Sequence, residues 1–464
     1  MTSSENFASG ITPKVTPPPP TRILALVLCV LALACFARAQ QTQSVPQDDA
    51  AARVAWHKSM KQTPLPKHGC FTVSYPSTSW QESSCTTAPK IPLIPRHGKA
   101  AQTVGNRNDY VAGVTSGLLS TAEGSFPNSS GVTSESGYVN DLPPAYPNAF
   151  TLQLNSNFFN NAPACSGASD PSQCIGWQQF VFQEGYGYQT QVYMQYWLIN
   201  YDTACPVSWS PYLNDCFENS TSIVVPTQQA ADISSLTVTG EAANGTDTVI
   251  FTAPGDTLSA VGQDTVLDLE QHWTEAEFNV LGDGGGGEAN FNDGSSFVVL
   301  TSVTNGTTDA PQCLGPPGAG TSGETNNLSL VPQSGPACCA YGGTSPSILF
   351  MESNSQNAPT SASCETIPYS THGSETIITH PIILGEIRVL YSATLEDSTP
   401  GATITYQLFD SCGNSVESAT VSSGTTISYL DTEINGESCT YGIRGTMYAT
   451  QPGYLQSPPS GIVF

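Results

Sequence analysis

The chain has 464 residues, only 11% of them charged, and 13 basic against 38 acidic side chains leave a formal charge of −25. That length exceeds one ordinary core and predicts two or three domains. The acidic balance argues against nucleic acid and anionic membrane as partners, because both require a basic surface.

Lys14 and Arg22 precede an apolar run, Ile23 to Ala37, and Ala37-Arg38-Ala39 supplies a small-x-small cleavage pattern. A run of about fifteen residues is short for a transmembrane span. Residues 1–39 therefore read as a signal peptide, and the mature chain as a secreted, extracellular, periplasmic or surface protein starting near Gln40. No membrane association is expected after cleavage, and a monomer is expected.

Of the 14 cysteines, Cys29 and Cys35 leave with the signal. An even set remains, as suits disulfides in an oxidising compartment. Spacing suggests local pairs Cys70–Cys85, Cys165–Cys174, Cys205–Cys216 and Cys412–Cys439. Cys313, Cys338, Cys339 and Cys364 form two more in an order that spacing leaves open. No CxxC pair occurs, so neither a metal site nor a cofactor is expected.

Residues 40–105 form a Pro/Ser-rich, disulfide-stapled lead-in, with one short helix around Ala50 to Met60. From Tyr110 onward, short alternating runs between Gly, Asn, Asp and Ser signal an all-β region. Strands are predicted at 110–119, 149–155, 177–183, 190–200, 221–225, 234–239, 247–252, 258–261, 265–269, 274–281 and 296–303. Residues 106–352 are thus read as a large, jelly-roll-like β-sandwich of two antiparallel sheets. Gly315 to Gly343 is its cross-linked loop. A turn-rich connection, 353–384, leads to a small β-sandwich over 385–464. Across 353–464, strands are predicted at 376–380, 385–394, 403–409, 418–421, 425–429 and 440–449.

Residues 176–201 hold two alternating runs around a hairpin turn, Glu184 to Gly187. Phe180 and Phe182 share a face with Val192, Met194, Tyr196 and Leu198. The opposite face carries Trp177, Gln179, Val181, Gln183, Gln191, Tyr193, Gln195, Trp197 and Ile199. Amides pair with peptide backbone or hydroxyls and aromatic rings stack, so that face suits an extended peptide or a sugar. In Trp273 to Asp283, Ala276, Phe278 and Val280 alternate with Glu275, Glu277, Asn279 and Leu281.

These segments resemble the glutamic endopeptidases (the eqolisin family), secreted acid-active enzymes with a two-sheet sandwich. NDYVAGVTSGLLSTAEGSFP, Asn108 to Pro127, is similar to that family's opening segment, and CIGWQQFVF to the strand with its catalytic glutamine, which implies Gln179. VYMQYWLINY resembles the partner strand, with Gln195 where a carboxylate is usual. DISSLTVTGEAANGTDTVIFT resembles the Asp-x-Ile strand, and AEFNV the segment that leads to the catalytic glutamate. Leu281 stands at the glutamate's own position. In the resemblance the carboxyl works as general acid and base on a water and the amide steadies the oxyanion. Glu277 lies on the same strand face as Leu281, roughly 13 Å off by strand rise, and is the carboxylate a displaced dyad would use.

PGATITYQLFD, with GTTISYL and GTMYATQPGYLQSPP, is similar to the immunoglobulin-like domain that ends bacterial chitobiases. Such a domain implies a spacer or adhesive module. Arg96-His97-Gly98 lacks the rest of a histidine-phosphatase motif. The glycine-rich Gly282 to Asp293 lacks EF-hand spacing and reads as a flexible hairpin connection. Asn128, Asn219, Asn244, Asn305 and Asn327 begin glycosylation triplets.

The leading expectation is a secreted binding or surface protein. Its central face would hold an extended polypeptide or polysaccharide through Tyr193, Gln195, Trp197 and Asn279. The alternative is an acid endopeptidase acting through Gln179 and Glu277.

Overall fold

The computed structural model describes residues 52–53, 56–97, 102–185, 187–332, 338–342 and 345–356 with their side chains, and the backbone of strands between 371 and 463. The chain divides into two units, Met1–Ala55 and Trp56–Phe464. The signal peptide and its cleavage point lie outside the described residues. Residues 56–61 are helical, in keeping with the short helix expected there.

The central region is an all-β sandwich. One sheet has ten strands and follows the order Gln81–Ser83, Gly69–Ser74, Asp256–Gln263, Thr246–Ala253, Thr237–Ala243, Thr121–Ser130, Ser296–Thr304, Ser347–Ser353 and Ser329–Leu330, with Cys339–Tyr341 also on Ser347–Ser353. The lead-in is thus part of the sandwich, since Gly69–Ser74 pairs antiparallel with Asp256–Gln263. The other sheet has eleven strands. At its centre lie Asp215–Asn219, Gln191–Ile199, Ile175–Gln183, Phe150–Ser156, Glu275–Gly282 and Val111–Gly113, in that order.

Period-two alternation explains the packing between the sheets. Phe150, Leu152, Leu154, Phe180, Phe182, Met194, Phe278 and Val280 point inward and belong to one buried core. Phe182 stacks on Phe251 of the facing sheet at 4.4 Å. Two glycines on that sheet make room for rings. A Cβ on Gly124 would lie 1.9 Å from the Phe278 ring, and one on Gly240 would lie 2.4 Å from Phe180. A side chain at either position would drive the layers apart.

The hairpin expected around Glu184 is present, with register running from Ile175↔Ile199 to Gln183↔Gln191. One expected strand is absent: 265–269 instead holds two 3-10 turns, Asp264–Val266 and Leu269–Gln271. Asp264 accepts from the backbone of Glu270 at 2.9 Å and so closes the chain locally instead of leaving it extended. The expected strand 110–119 shortens to Val111–Gly113.

Disulfides Cys70–Cys85, Cys165–Cys174 and Cys205–Cys216 are as expected from spacing. The open order begins to resolve as Cys313–Cys338, and Cys339 is disulfide-bonded as well. Cys412 and Cys439 lie outside the described residues. Towards the C-terminus, two further antiparallel sheets form. One joins Thr371–Ile378, Glu386–Leu395 and Thr425–Ile434; the other joins Ser415–Ser422, Thr403–Phe409, Arg444–Thr450 and Ser460–Val463. Among the described residues, no helix is long and apolar enough to cross a membrane.

Candidate ligand-binding face

The outer face of the eleven-stranded sheet is a grid of polar and aromatic side chains in four cross-strand rows. Trp197 faces Trp177. The next row runs Asn219, Gln195, Gln179, Asn155, Glu277. A third runs Tyr193, Val181, Gln153, Asn279, and a fourth Gln191, Gln183, Thr151, Leu281. Sequence reasoning found four of the five strands involved but passed over Gln153 and Asn155. The signal was present in FTLQLNS, where Thr151, Gln153 and Asn155 alternate with inward Phe150, Leu152 and Leu154.

Where a solvated or open face would show exposed amides, this one is covered. Gln153, Asn155, Gln179, Gln195, Trp197, Tyr193 and Asn279 are all fully buried, and Glu277 is 1% exposed. Two chain segments lie over them. The first is the strap formed by residues 88–96, with the sequence APKIPLIPR. The second is the loop at residues 318–326, which meets the strap through an antiparallel bridge, Pro95↔Ser322, and a Gly323 N–H to Ile94 carbonyl bond of 2.7 Å.

Gln195 holds the strap as a neighbouring strand would. Its Oε1 accepts from the Leu93 N–H at 2.7 Å, and its Nε2 donates to the Ile91 carbonyl at 3.0 Å. The same amide accepts from Trp197 Nε1 and donates to Asn219 Oδ1, so its hydrogen-bonding capacity is filled. Asn219 donates to the Pro89 carbonyl at 2.7 Å. Glu324 accepts from the Ile94 N–H at 2.8 Å. Ile94 packs among Trp177, Trp197 and Phe217, and Leu93 with Ala88 against Val181 and Tyr193. Arg96 ends the strap: it donates to the Gly318 and Gly320 carbonyls and lies over the Phe158 ring. Burial lowers its pKa, against the opposing pull of the Glu277 charge.

The glycine-rich turn after Glu275–Gly282, expected to be a flexible connection, is a packed seat for the strap. Gly285 donates to the Pro92 carbonyl at 2.8 Å. Gly284 has φ 85°, and a Cβ there would lie 2.3 Å from Ile91 Cγ2. Glycine meets both demands at once.

Gln179 and Glu277 share a row but do not touch; Asn155 stands between them, about two strand spacings, or roughly 10 Å, apart. Glu277 Oε2 accepts from Thr321 N at 2.7 Å, Thr321 Oγ1 at 2.5 Å, Ser322 N at 3.2 Å and Asn155 Nδ2 at 3.2 Å. Gln179 Nε2 donates to Gln153 Oε1 at 3.1 Å. Three acceptor oxygens of this row, Gln179 Oε1, Asn155 Oδ1 and Glu277 Oε1, are buried without a hydrogen-bond partner. Leu281 is fully buried at the far end of the same strand face.

Other carboxyls converge from elements the sequence did not connect. Glu324 accepts from Ser322 Oγ at 2.8 Å and from Gln153 Nε2 at 3.4 Å, and burial lifts its pKa to about 7. Asn279 donates to both Asp109, at 3.0 Å, and Glu352, at 3.1 Å. Burial raises Glu352 to about 8; Asp109 is raised by burial first and then by the charges of Glu277 and Glu352. Tyr193 donates to Gln183, which donates to Asp283; Tyr188 donates there too, and burial lifts Asp283 to about 6. Among the described residues, no group of three or more His, Cys, Asp or Glu is placed to hold a metal ion.

No known protein family, curated protein or solved structure matches the chain.

Proposed function

We propose that this is a secreted binding or surface protein whose polar sheet face holds an extended polymer, with a C-terminal immunoglobulin-like module as its spacer. The observation that carries the reading is the hold on Ile91 to Ile94. Gln195 both donates to and accepts from that backbone, while the aromatic and aliphatic side chains beside it seat Leu93 and Ile94. Paired amide contacts and apolar seats are what an extended polypeptide needs. Disulfides within the sandwich agree with an oxidising compartment. The test is retention of labelled, unfolded polypeptide, with chitin and cellulose in parallel, after hours of incubation. Retention that Gln195→Ala removes supports the reading; no retention of any polymer by the folded protein overturns it.

A second reading, an acid endopeptidase acting through Gln179 and Glu277, draws on their shared row and its unpartnered oxygens. Against it, one of the two Nε2 hydrogens of Gln179 is already bonded to Gln153, and Leu281 fills the position where the resemblance implies the glutamate. Cleavage of denatured casein at acid pH with pepstatin present, lost in both Glu277→Gln and Gln179→Ala, would decide for it.

A further inference from the structure

We infer that residues 88–96 are an intramolecular ligand of the polar face, and that an external chain binds there only where this strap lifts. The inference rests on the binding reading above and adds its regulation.

Three features separate the strap from ordinary core. First, its backbone is read by polar side chains. Gln195 and Asn219 of the sheet face engage Pro89, Ile91 and Leu93 at every second residue, the pattern by which a protein grips a peptide, and Glu324 of the 318–326 loop accepts from the Ile94 N–H. Second, two of its apolar side chains, Leu93 and Ile94, occupy separate seats that lie outside the inter-sheet core. Leu93 belongs to a cluster with Val181 and Tyr193, and Ile94 to one with Trp177, Trp197 and Phe217. Third, the sandwich does not depend on it for continuity. The chain before it is secured by the Cys70–Cys85 disulfide and by pairing of Thr86–Thr87 with Thr221 and Ser222. Val111–Gly113 re-enters the eleven-stranded sheet after it.

The strap also buries groups that an apolar seat alone would not need. Arg96 at its end donates to the Gly318 and Gly320 carbonyls of the second cover and shares its neighbourhood with Glu277. Lifting residues 88–96 would expose Gln195 and Asn219 as preformed backbone-pairing groups of one row, with Glu324 beside them on the 318–326 loop. A preformed site filled by a tethered competitor shows an apparent affinity reduced by the fraction of open molecules.

The probe is a labelled peptide with the sequence of residues 88–97, titrated into the full-length secreted protein and into Leu93→Ala/Ile94→Ala. Both substitutions loosen the strap and leave the face intact. The expected result is at least tenfold tighter binding to the double variant, abolished when Gln195→Ala is added. In the parent protein, saturating peptide should speed hydrogen exchange at the Leu93 and Ile94 amides and leave 175–183 protected. Equal affinity of folded parent and folded variant, or unchanged Leu93 and Ile94 protection at saturation, overturns the competition and leaves the binding reading standing. If no folded form binds the peptide, the intramolecular-ligand inference falls, and the binding reading falls with it only if chitin, cellulose and unfolded polypeptide are not retained either. Should the double variant not fold, Ile94→Val, with a smaller gain expected, takes its place.

Discussion

The two faces of the eleven-stranded sheet are equally dry and built on opposite principles. The inner face excludes water with shape: Phe180 and Phe278 enter slots left by Gly240 and Gly124. The outer face does so with bonds, because Gln153, Gln195 and Asn279 are buried and each is held by named partners. A mismatched methylene costs little directional energy, whereas an unpaired buried amide costs its whole desolvation. The inner face requires a matching volume at each point; the polar grid requires a particular hydrogen-bonding neighbour. The row of Gln179, Asn155 and Glu277, which keeps three unpartnered oxygens, is one place where polarity exceeds what the fold consumes.

The sharpest way to separate the faces is pH. Glu352 at about 8, Glu324 at about 7 and Asp283 at about 6 are lifted by burial above the unfolded range of about 4. The folded state therefore binds more protons, so this stability is fully present below pH of about 4 and is lost as the pH rises through about 6 to 8. Unfolding free energies from denaturant titration should fall by on the order of several kcal/mol across that window, with the midpoint falling in step. A midpoint that is flat or rises towards pH 8 would refute the buried-acid account. The inner face supplies the next effect. Phe180→Ala should cost about 3–5 kcal/mol at any pH, measured the same way. Gln195→Ala should follow at about 2–3 kcal/mol, because it strands Leu93 N–H, Trp197 Nε1 and the Ile91 carbonyl. Smallest of all, Gln179→Leu should lie within about 1 kcal/mol of the parent, since one hydrogen bond and one unpartnered oxygen leave together. A larger loss there would make the row structural.

Alternation exposed the strands bearing Gln179, Gln195 and Glu277, because a period of two survives any tertiary context. It could not say what lies above them. Cover is a property of distant chain: Leu93 meets Gln195 across 102 positions, and Ile94 meets Glu324 across 230. The lead-in looked like a separate stapled region because Pro and Ser dominate its composition, yet Gly69–Ser74 completes a sheet. The run 265–269 misled for the opposite reason. Its apolar residues satisfy a strand pattern, while Asp264 captures the backbone ahead of it. In the glycine-rich turn, composition suggested freedom, and the requirement was close approach by Ile91.

Asn219 gives the strap a bearing on how the protein is made. Its triplet, Asn219-Ser220-Thr221, is an acceptor sequence for oligosaccharide, and the nitrogen that would carry the sugar is the one bonded to the Pro89 carbonyl. Asn244, at an exposed turn, begins another acceptor triplet, Asn244-Gly245-Thr246, without that engagement. In a host that glycosylates such sequences, the glycoform at Asn219 becomes a clock. A sugar attached there marks a molecule modified before its strap was seated, and a bare Asn219 beside an occupied Asn244 marks one that closed first.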